Sequence, residues 1–339
     1  MIDLLVAGGG PAGLATALYA RRAGLDVVVV EPRTEVIDKA CGEGLMPEAI
    51  ARLAELGVDP QGQPFRGIRY VQGGQSAEAT FAAGPGRGVR RITLHAAMRD
   101  RAAEVGVRFV CGRVTHVETA AQSVEAAGIT ARYLIGADGL HSTVRTDIGL
   151  GTPARGRQRF GVRQHFRVDP WSDLVEVHWL PDSEVYITPV AEDVVGFAVL
   201  GGRPLSLGNA LAALPSIAAR LIHAEAVSTE RGAGPLRQVT SARTFGRVIL
   251  VGDAAGYVDA LTGEGLRMGF AEAEAAIDAV VRNDPMSYER EWTRLTRSYR
   301  RLTNGLLWVG GQPMLRRMIV PAARLAPGVF RRGIDSIAA

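Results

Sequence analysis

Two short apolar runs, separated by a glycine-rich turn and a helix-length segment, open the chain. Residues 2–7 are mostly apolar and are followed by glycines, a pattern typical of a buried parallel strand. The segment from Pro11 to Ala23 is predicted to be a helix that ends at Gly24, and Val27 to Val30 form a second apolar strand. This order predicts a βαβ unit at the N-terminus.

The middle of the chain follows a different pattern, in which apolar and polar residues alternate. From Gly161 to Leu200 turn residues interrupt this alternation, which predicts an antiparallel sheet with one buried face. Residues 65–81 are also strand-rich, and Leu207 to His223 is predicted to be a helix. From Arg247 to Val251 an apolar strand returns the chain to the first lobe.

The length of the chain, 339 residues, exceeds the usual size of a single hydrophobic core, so two lobes are expected. The order of predicted strands and helices along the chain indicates the α/β fold class. The pattern divides the chain into a nucleotide-binding domain of residues 1–64, 82–155 and 240–285, a substrate-binding β-sheet domain of residues 65–81 and 156–239, and a C-terminal helical segment of residues 286–339.

Composition indicates a globular enzyme and argues against several other classes. Charged residues make up 22% of the chain and the formal net charge is only +4, so no nucleic-acid partner is expected. Two cysteines do not make a disulfide framework, and no His or Cys spacing indicates a metal site. No apolar run is long enough to cross a membrane and the first strand begins at residue 2, so we expect a cytoplasmic protein.

Candidate chemistry begins at the turn between the first strand and the first helix. Gly8, Gly10 and Gly13 follow the spacing G-x-G-x-x-G, which permits a tight turn, close approach of a diphosphate and close packing of helix on strand. The first amides of the helix then point toward the phosphates. Glu31 lies 18 positions after Gly13, where an acid can hydrogen-bond a ribose hydroxyl. This segment predicts a dinucleotide site without choosing between FAD and NAD(P).

Two later segments favour FAD by resemblance. The second segment, residues 133–145, contains Asp138-Gly139, Ser142 and Arg145, and the third, residues 247–266, contains Gly252-Asp253, Gly263 and Gly265. With the N-terminal turn, they resemble the flavoprotein superfamily of p-hydroxybenzoate hydroxylases, geranylgeranyl reductases and flavin-dependent halogenases. The resemblance implies a Rossmann-like FAD-binding domain of the glutathione-reductase type, an interleaved antiparallel β-sheet substrate domain and C-terminal helices.

The same resemblance implies which residues hold the cofactor. Asp253 would hydrogen-bond the ribityl chain, Arg91 would contact the cofactor, and the turn from Gly263 to Gly265 would lie beside the isoalloxazine ring. A helix from Gly265 to Val281 would direct its N-terminal partial positive charge at the flavin. The candidate cofactor-binding residues are Gly8, Gly10, Pro11, Ala12, Gly13, Glu31, Arg33, Gly44, Arg91, Val114, Asp138, Gly139, Asp253, Gly263, Gly265 and Leu266.

The segment from Asp38 to Leu45 bears on the reaction. Its sequence Cys41-Gly42-Glu43-Gly44 resembles geranylgeranyl reductases more than aromatic hydroxylases. Cys41 could donate a proton, form a thiolate near Lys39, or only pack beneath the flavin. Glu43 could be an acid/base group or a structural contact to the turn.

Three other polar residues lie on the predicted sheet. Tyr186 could hydrogen-bond a phenolate or be an ordinary sheet aromatic. Single histidines on a sheet, here His165 and His178, are expected to be core or surface residues rather than bases.

The C-terminal tail has a composition of its own. Residues 285–339 carry ten arginines and three acids, and apolar residues recur near helical spacing. This pattern predicts a pair of helices that caps the nucleotide lobe with its arginines in water. The alternative is a peripheral membrane contact, in which an amphipathic surface meets anionic lipid and admits a greasy substrate.

These features predict an FAD-dependent oxidoreductase that takes hydride from NAD(P)H and acts on a hydrophobic small molecule. The preferred hypothesis is monooxygenation of an aromatic or polyketide-derived compound. The chain also resembles bacterial flavoproteins often found beside type III polyketide synthases. The first alternative is reduction of an isoprenoid or enone double bond, as in geranylgeranyl reductases. The second alternative is a flavin-binding scaffold without turnover.

Overall fold

The computed structural model describes residues 1–154 and 156–338 and contains two large sheets. In chain order the strands are β1 (Ile2–Ala7), β2 (Val27–Glu31), β3 (Gly44–Leu45), β4 (Gln63–Phe65), β5 (Gly67–Gln72), β6 (Gln75–Thr80), β7 (Gly86–Gly88), β8 (Arg108–Cys111), β9 (Val117–Thr119), β10 (Val124–Ala126), β11 (Ile129–Gly136), β12 (Gly151–Thr152), β13 (Phe160–Arg167), β14 (Val175–Trp179), β15 (Ser183–Ala191), β16 (Val194–Gly201), β17 (Glu225–Ala226), β18 (Arg231–Ala233), β19 (Val239–Thr240), β20 (Thr244–Phe245) and β21 (Val248–Leu250). The helices are α1 (Pro11–Arg22), α2 (Pro47–Glu55), α3 (Arg91–Glu104), α4 (Thr143–Asp147), α5 (Leu207–Ala212), α6 (Pro215–Leu221), α7 (Gly265–Val281), α8 (Pro285–Gly310), α9 (Pro313–Arg316), α10 (Ile319–Leu325) and α11 (Pro327–Ala338).

The first large sheet contains the N-terminal βαβ unit. Its central order is β20-β21-β11-β1-β2-β8, in which β21, β11, β1, β2 and β8 are parallel. Leu4, Leu5 and Val6 of β1 are fully buried, as expected of a central parallel strand. The βαβ prediction is confirmed, and Gly24, with φ +79°, follows the end of α1.

The second large sheet has the order β17-β13-β16-β15-β14-β5-β6, and its neighbours are antiparallel except for β5 and β14. The register places Arg163 opposite Ala198 and Ala198 opposite Tyr186, so these side chains share one face. His165, two residues after Arg163, lies on the same face.

The antiparallel arrangement of β13 to β16 agrees with the predicted alternation, but the expectation of a single buried face is wrong. Every residue of β14 and β16 is buried. Residues of α5 and α6 pack on one side of this sheet, and residues of α10 and α11 pack on the other. Helices therefore cover both faces of the sheet.

The segment predicted as one helix from Leu207 to His223 forms the two short helices α5 and α6. Pro215 is the first residue of α6. A proline lacks the N–H that a continuous helix would need at this position, so the first helix ends before it.

The C-terminal segment forms four helices rather than a pair, and only α8 packs on α7 of the nucleotide lobe. The helices α10 and α11 pack on β6 of the substrate sheet, so the predicted cap on the nucleotide lobe is wrong for them. Phe330 packs on Tyr70 with ring centroids 5.0 Å apart, and buried Arg316 pairs with Glu184 at 2.7 Å. Among the described helices, none has the length and hydropathy to span a bilayer.

Candidate cofactor-binding site

The glycine-rich turn is tightly packed at both ends and open in its middle. A Cβ on Gly13 would lie 1.9 Å from the carbonyl oxygen of Gly8, and Gly8 itself has φ +103°. A Cβ on Gly10 would meet only the Arg91 guanidinium, 4.0 Å away. The ends of the turn therefore need glycine for packing, whereas Gly10 leaves open the space that a diphosphate requires.

Arg91 supplies a cation beside this open space. It is the first residue of α3, and its main-chain N–H donates to Glu43 Oε1 at 2.7 Å. Its buried Nε has no hydrogen-bond partner among the described residues. A guanidinium with a free donor next to Gly10 is the group that binds phosphate oxygens best.

Glu31 ends β2 next to the same turn. Its Oε2 accepts a hydrogen bond from the Gly9 N–H at 2.8 Å, and its Oε1 accepts from Arg33 Nε at 2.6 Å. Burial acts to raise the pKa of Glu31, but the hydrogen bonds from Arg33 and Gly9 outweigh it and the pKa is lowered. The carboxylate borders a cavity of about 160 Å³ that suits the ribose of an adenosine.

Hydrogen bonds and close packing bring the second and third segments to this turn. Arg145 donates from Nη1 to the carbonyl oxygens of Asp253 and Ala254, at 3.3 and 3.1 Å. A Cβ on Gly252 would lie 2.9 Å from the Cβ of Ala12. The three segments singled out in the sequence therefore meet in the folded chain.

Asp138 and Asp253 leave carboxylate oxygens for a ligand. Asp138 Oδ2 accepts from the Thr143 N–H at 2.7 Å, whereas its buried Oδ1 has no partner in the part of the chain that the structure describes. Burial raises the pKa of Asp253, and the charges of Lys39, Arg91 and Arg145 oppose this shift. A half-buried carboxylate among cations can accept hydrogen bonds from ligand hydroxyls, as a ribityl chain provides.

The remaining candidate residues line or support the same region. Gly263 has φ +71°, and Gly265 begins α7, which ends at Val281 as predicted. A Cβ on Gly139 would lie 3.2 Å from Lys39 Nζ, and the Val114 carbonyl accepts from the Thr143 hydroxyl at 2.8 Å. The others are Pro11, at the first position of α1, Gly44, in β3 beside Phe65, and Leu266, packed against the core of the first lobe.

The Cys41 turn lies within this group. Cys41 Sγ accepts a hydrogen bond from the Glu43 N–H at 3.4 Å. Burial raises the pKa of the Cys41 thiol, Arg91 lowers it and Glu43 raises it, with a net rise. The thiolate alternative is therefore disfavoured, because the rise keeps the sulfur protonated at neutral pH.

Glu43 links the two lobes through a buried polar network. Its backbone has φ +60°, and its Oε2 lies 2.5 Å from His165 Nε2. His165 Nδ1 lies 3.2 Å from Arg163 Nη1, and Arg163 Nη2 donates to Asp38 Oδ1 at 2.5 Å. Glu43 thus makes an interlobe contact that the sequence analysis did not foresee.

The sequence contained part of the information needed to find this network. Arg163 and His165 alternate along a strand, so their shared face could have been inferred. His95 was also missed: its Nε2 lies 2.9 Å from the Gly9 carbonyl, and it follows Arg91 by one helical turn. Tyr257, whose ring borders Gly265, was not singled out either.

Tyr186 and His178, which lie on the second large sheet, have hydrogen-bond partners within the protein. The Tyr186 hydroxyl donates to the Leu261 carbonyl at 2.7 Å, and burial raises its pKa well above the usual value. Because its hydroxyl hydrogen is donated to this carbonyl, Tyr186 supports the loop before Gly263 and is not free to hydrogen-bond a substrate phenolate. His178 is buried and its Nε2 lies 3.1 Å from Glu176, as a core histidine would be.

Comparison with known proteins identifies the family. Residues 1–195, more than half of the chain, match the family described as FAD binding domain. The menaquinone reductase of Mycobacterium tuberculosis is 29% identical over 329 residues, covering 86% of this chain and 79% of the relative. Digeranylgeranylglycerophospholipid reductase 1 of Methanopyrus kandleri is 27% identical over 328 residues, covering 86% and 85%.

Solved structures share the fold. A geranylgeranyl bacteriochlorophyll reductase-like protein from Thermoplasma acidophilum has a TM-score of 0.79 at 19% identity, covering 94% of this chain and 90% of that one. A 2-methyl-3-hydroxypyridine-5-carboxylic acid oxygenase has a TM-score of 0.74 at 20% identity, covering 100% and 96%. Because the sequence match and the shared fold agree, we conclude that this chain belongs to the FAD binding domain family and is an FAD-dependent oxidoreductase.

Proposed function

We propose that this flavoprotein reduces a carbon–carbon double bond in a hydrophobic isoprenoid or enone, with Cys41 as the proton donor. The observation that carries the proposal is the half-buried Cys41 thiol, which accepts a hydrogen bond from the Glu43 N–H at 3.4 Å, has a raised pKa and lies close to the candidate cofactor residue Arg91. The substrates named for the menaquinone and digeranylgeranylglycerophospholipid reductases, to which this chain is similar, support the same class of substrate.

Such a reduction adds a hydride to one carbon and a proton to the other. FAD supplies the hydride when bound and reduced, and we propose NAD(P)H as the source of that hydride. The residues positioned to hold FAD are Gly10, Arg91 and Asp253, as their open or unpaired groups indicate.

Cys41 would donate its Sγ proton to the carbon that does not receive the hydride. The resulting thiolate would accept the hydrogen bond from the Glu43 N–H and would lie in the field of Arg91. Glu43 is held by His165, so we assign it a positioning role for the Cys41 turn. Solvent would return the proton to sulfur after the product leaves.

This proposal reverses the preference for monooxygenation that the sequence suggested. Transfer of an oxygen atom does not require a protonated thiol at the turn, and the likeness to the oxygenase shows the fold alone. A polyketide-derived phenol remains the contrasting substrate class, because of the resemblance to flavoproteins found beside type III polyketide synthases.

Product analysis distinguishes the two reactions. The FAD-loaded protein would be incubated with NADH or NADPH and with menaquinone, digeranylgeranylglycerophospholipid or an alkylated phenol, under air and under nitrogen. We expect a product that has gained two hydrogen atoms and that forms without oxygen. A product that gains an oxygen atom, only under air, would replace the reductase assignment with monooxygenation. Absence of turnover with every probe would favour the non-catalytic scaffold.

Cys41→Ser tests the proton donor within the reductase proposal. General acid catalysis contributes roughly 100- to 10,000-fold, so turnover of the reduced substrate should fall about 100-fold or more. FAD content and the rate of flavin reduction by NAD(P)H serve as controls, because neither needs the thiol proton. Unchanged turnover in Cys41→Ser would remove Cys41 from the mechanism.

A further inference from the structure

The C-terminal helices expose an unusual share of apolar surface. Thirteen large apolar side chains are exposed in the described part of the chain, and six of them lie between residues 308 and 329. Met314 and Leu325 have the largest exposed fractions, 84% and 83%. We call this set the exposed apolar face, and its members are Trp308, Met314, Leu315, Met318, Leu325 and Val329.

The same helices also bury apolar side chains on their inner side. Val320 of α10 and Ile334 and Ile337 of α11 are buried in the cluster that contains Tyr70 of the substrate sheet. The inner contacts therefore account for the stability of these helices without the outer residues. Six exposed apolar side chains between residues 308 and 329 cost free energy in water, and such a concentration is typical of a contact surface.

The charges around this face are positive and unpaired. Arg317, Arg324, Arg331 and Arg332 are exposed, and none forms an ion pair with another described residue. Asp335 is the one acid between residues 311 and 338, and its Oδ1 accepts from the Ala82 N–H. A surface that is both apolar and cationic suits an anionic amphiphile.

We propose that this face docks onto a bilayer that contains anionic lipids. The apolar side chains would enter the headgroup region, and the four arginines would bind lipid phosphates. A second copy of the chain is disfavoured as the occupant, because it would bring two sets of unpaired arginines together. The inference does not depend on which reaction the FAD site performs.

Vesicle co-sedimentation tests the proposal directly. The FAD-loaded protein would be mixed with vesicles of phosphatidylcholine alone or of phosphatidylcholine and phosphatidylglycerol in equal amounts. We expect binding to the mixed vesicles only, and weaker binding at high salt. Each arginine near an anionic surface contributes about a fivefold factor to partitioning, so Arg324→Ser with Arg331→Ser should reduce it by tenfold or more.

Leu325→Asp should abolish binding by placing a charge on the face. The matched controls are Ile222→Asp, at an exposed apolar residue outside the face, and Arg282→Ser, at an exposed arginine outside it. Both should bind like the wild type, and FAD absorbance and melting temperature should show that all variants are folded.

Two results would overturn the proposal. One is equal binding of Leu325→Asp and the wild type to mixed vesicles. The other is no binding of the wild type to mixed vesicles. If light scattering then detects a dimer that Leu325→Asp converts to monomer, the face would be assigned to self-association.

Discussion

Replacing Gly10 by alanine should separate cofactor binding from folding. Gly10 has φ −72° and ψ 175°, which any residue adopts, and its added Cβ would meet nothing closer than Arg91 Nη2 at 4.0 Å. Removing a glycine from a compatible position stabilises a protein by about 0.4–1 kcal/mol, since the unfolded chain loses freedom. Gly10 is also the N-cap of α1, where alanine is less favourable than glycine, and this cost is of similar size. The apoprotein of Gly10→Ala should therefore melt close to the wild-type temperature.

The same Cβ would enter the space that the FAD diphosphate needs. Each hydrogen bond to a charged group contributes about 1.5–3 kcal/mol, so displacing one phosphate contact should raise the Kd for FAD roughly 10- to 100-fold. Fluorescence titration of FAD into the apoprotein measures this change. Gly13→Ala is the contrasting variant, because its Cβ would lie 1.9 Å from the Gly8 carbonyl and should prevent folding. Wild-type FAD affinity in Gly10→Ala would refute the assignment of this turn as the diphosphate site.

Three further predictions concern ionisable groups that are fully or partly buried. Asp253→Ala should weaken FAD binding roughly tenfold or more, measured by the same titration, because it removes charge-assisted hydrogen bonds to the ligand. Burial raises the pKa of Glu272 to about 8, so its folded form keeps a proton that the unfolded form loses near pH 4.5. Stability should therefore fall as pH rises from 4.5 to about 8, and Glu272→Gln should show a smaller fall in thermal scans. Arg316→Ala should lower the free energy of unfolding by about 1.5–3 kcal/mol in urea titrations, because it removes a buried charged partner of Glu184 while Arg159 still pairs with that carboxylate; a change below about 1 kcal/mol would contradict this reasoning.

Local sequence patterns predicted the parts of the fold whose causes are local. The first βαβ unit follows from apolar runs and glycine positions, which act within a few residues. The bounds of α7, Gly265 to Val281, are those that the family resemblance implied. The break at Pro215 was missed although its signal is local, since a proline interior to a predicted helix favours two helices.

Contacts between distant segments were not readable in the same way. Glu43 and His165 are 122 positions apart, and nothing in either local pattern specifies the other. Helical spacing in the tail identified apolar residues but not their partner, so the packing of α10 and α11 on the substrate sheet was missed. The sequence left the role of Cys41 open for a related reason. The pKa of a thiol depends on burial, which only the folded chain provides.

The interlobe network also has a consequence for the order of assembly during synthesis. The Asp38–Glu43 segment leaves the ribosome long before its partners, because Arg163 and Arg231 follow Asp38 by 125 and 193 positions. The glycine-rich turn can form with its own neighbouring strands, whereas the Cys41 turn needs contacts of high sequence separation, which form late. Until β13 docks, Glu43 lacks its His165 partner, so the turn that carries Cys41 reaches its final geometry only when the two lobes close.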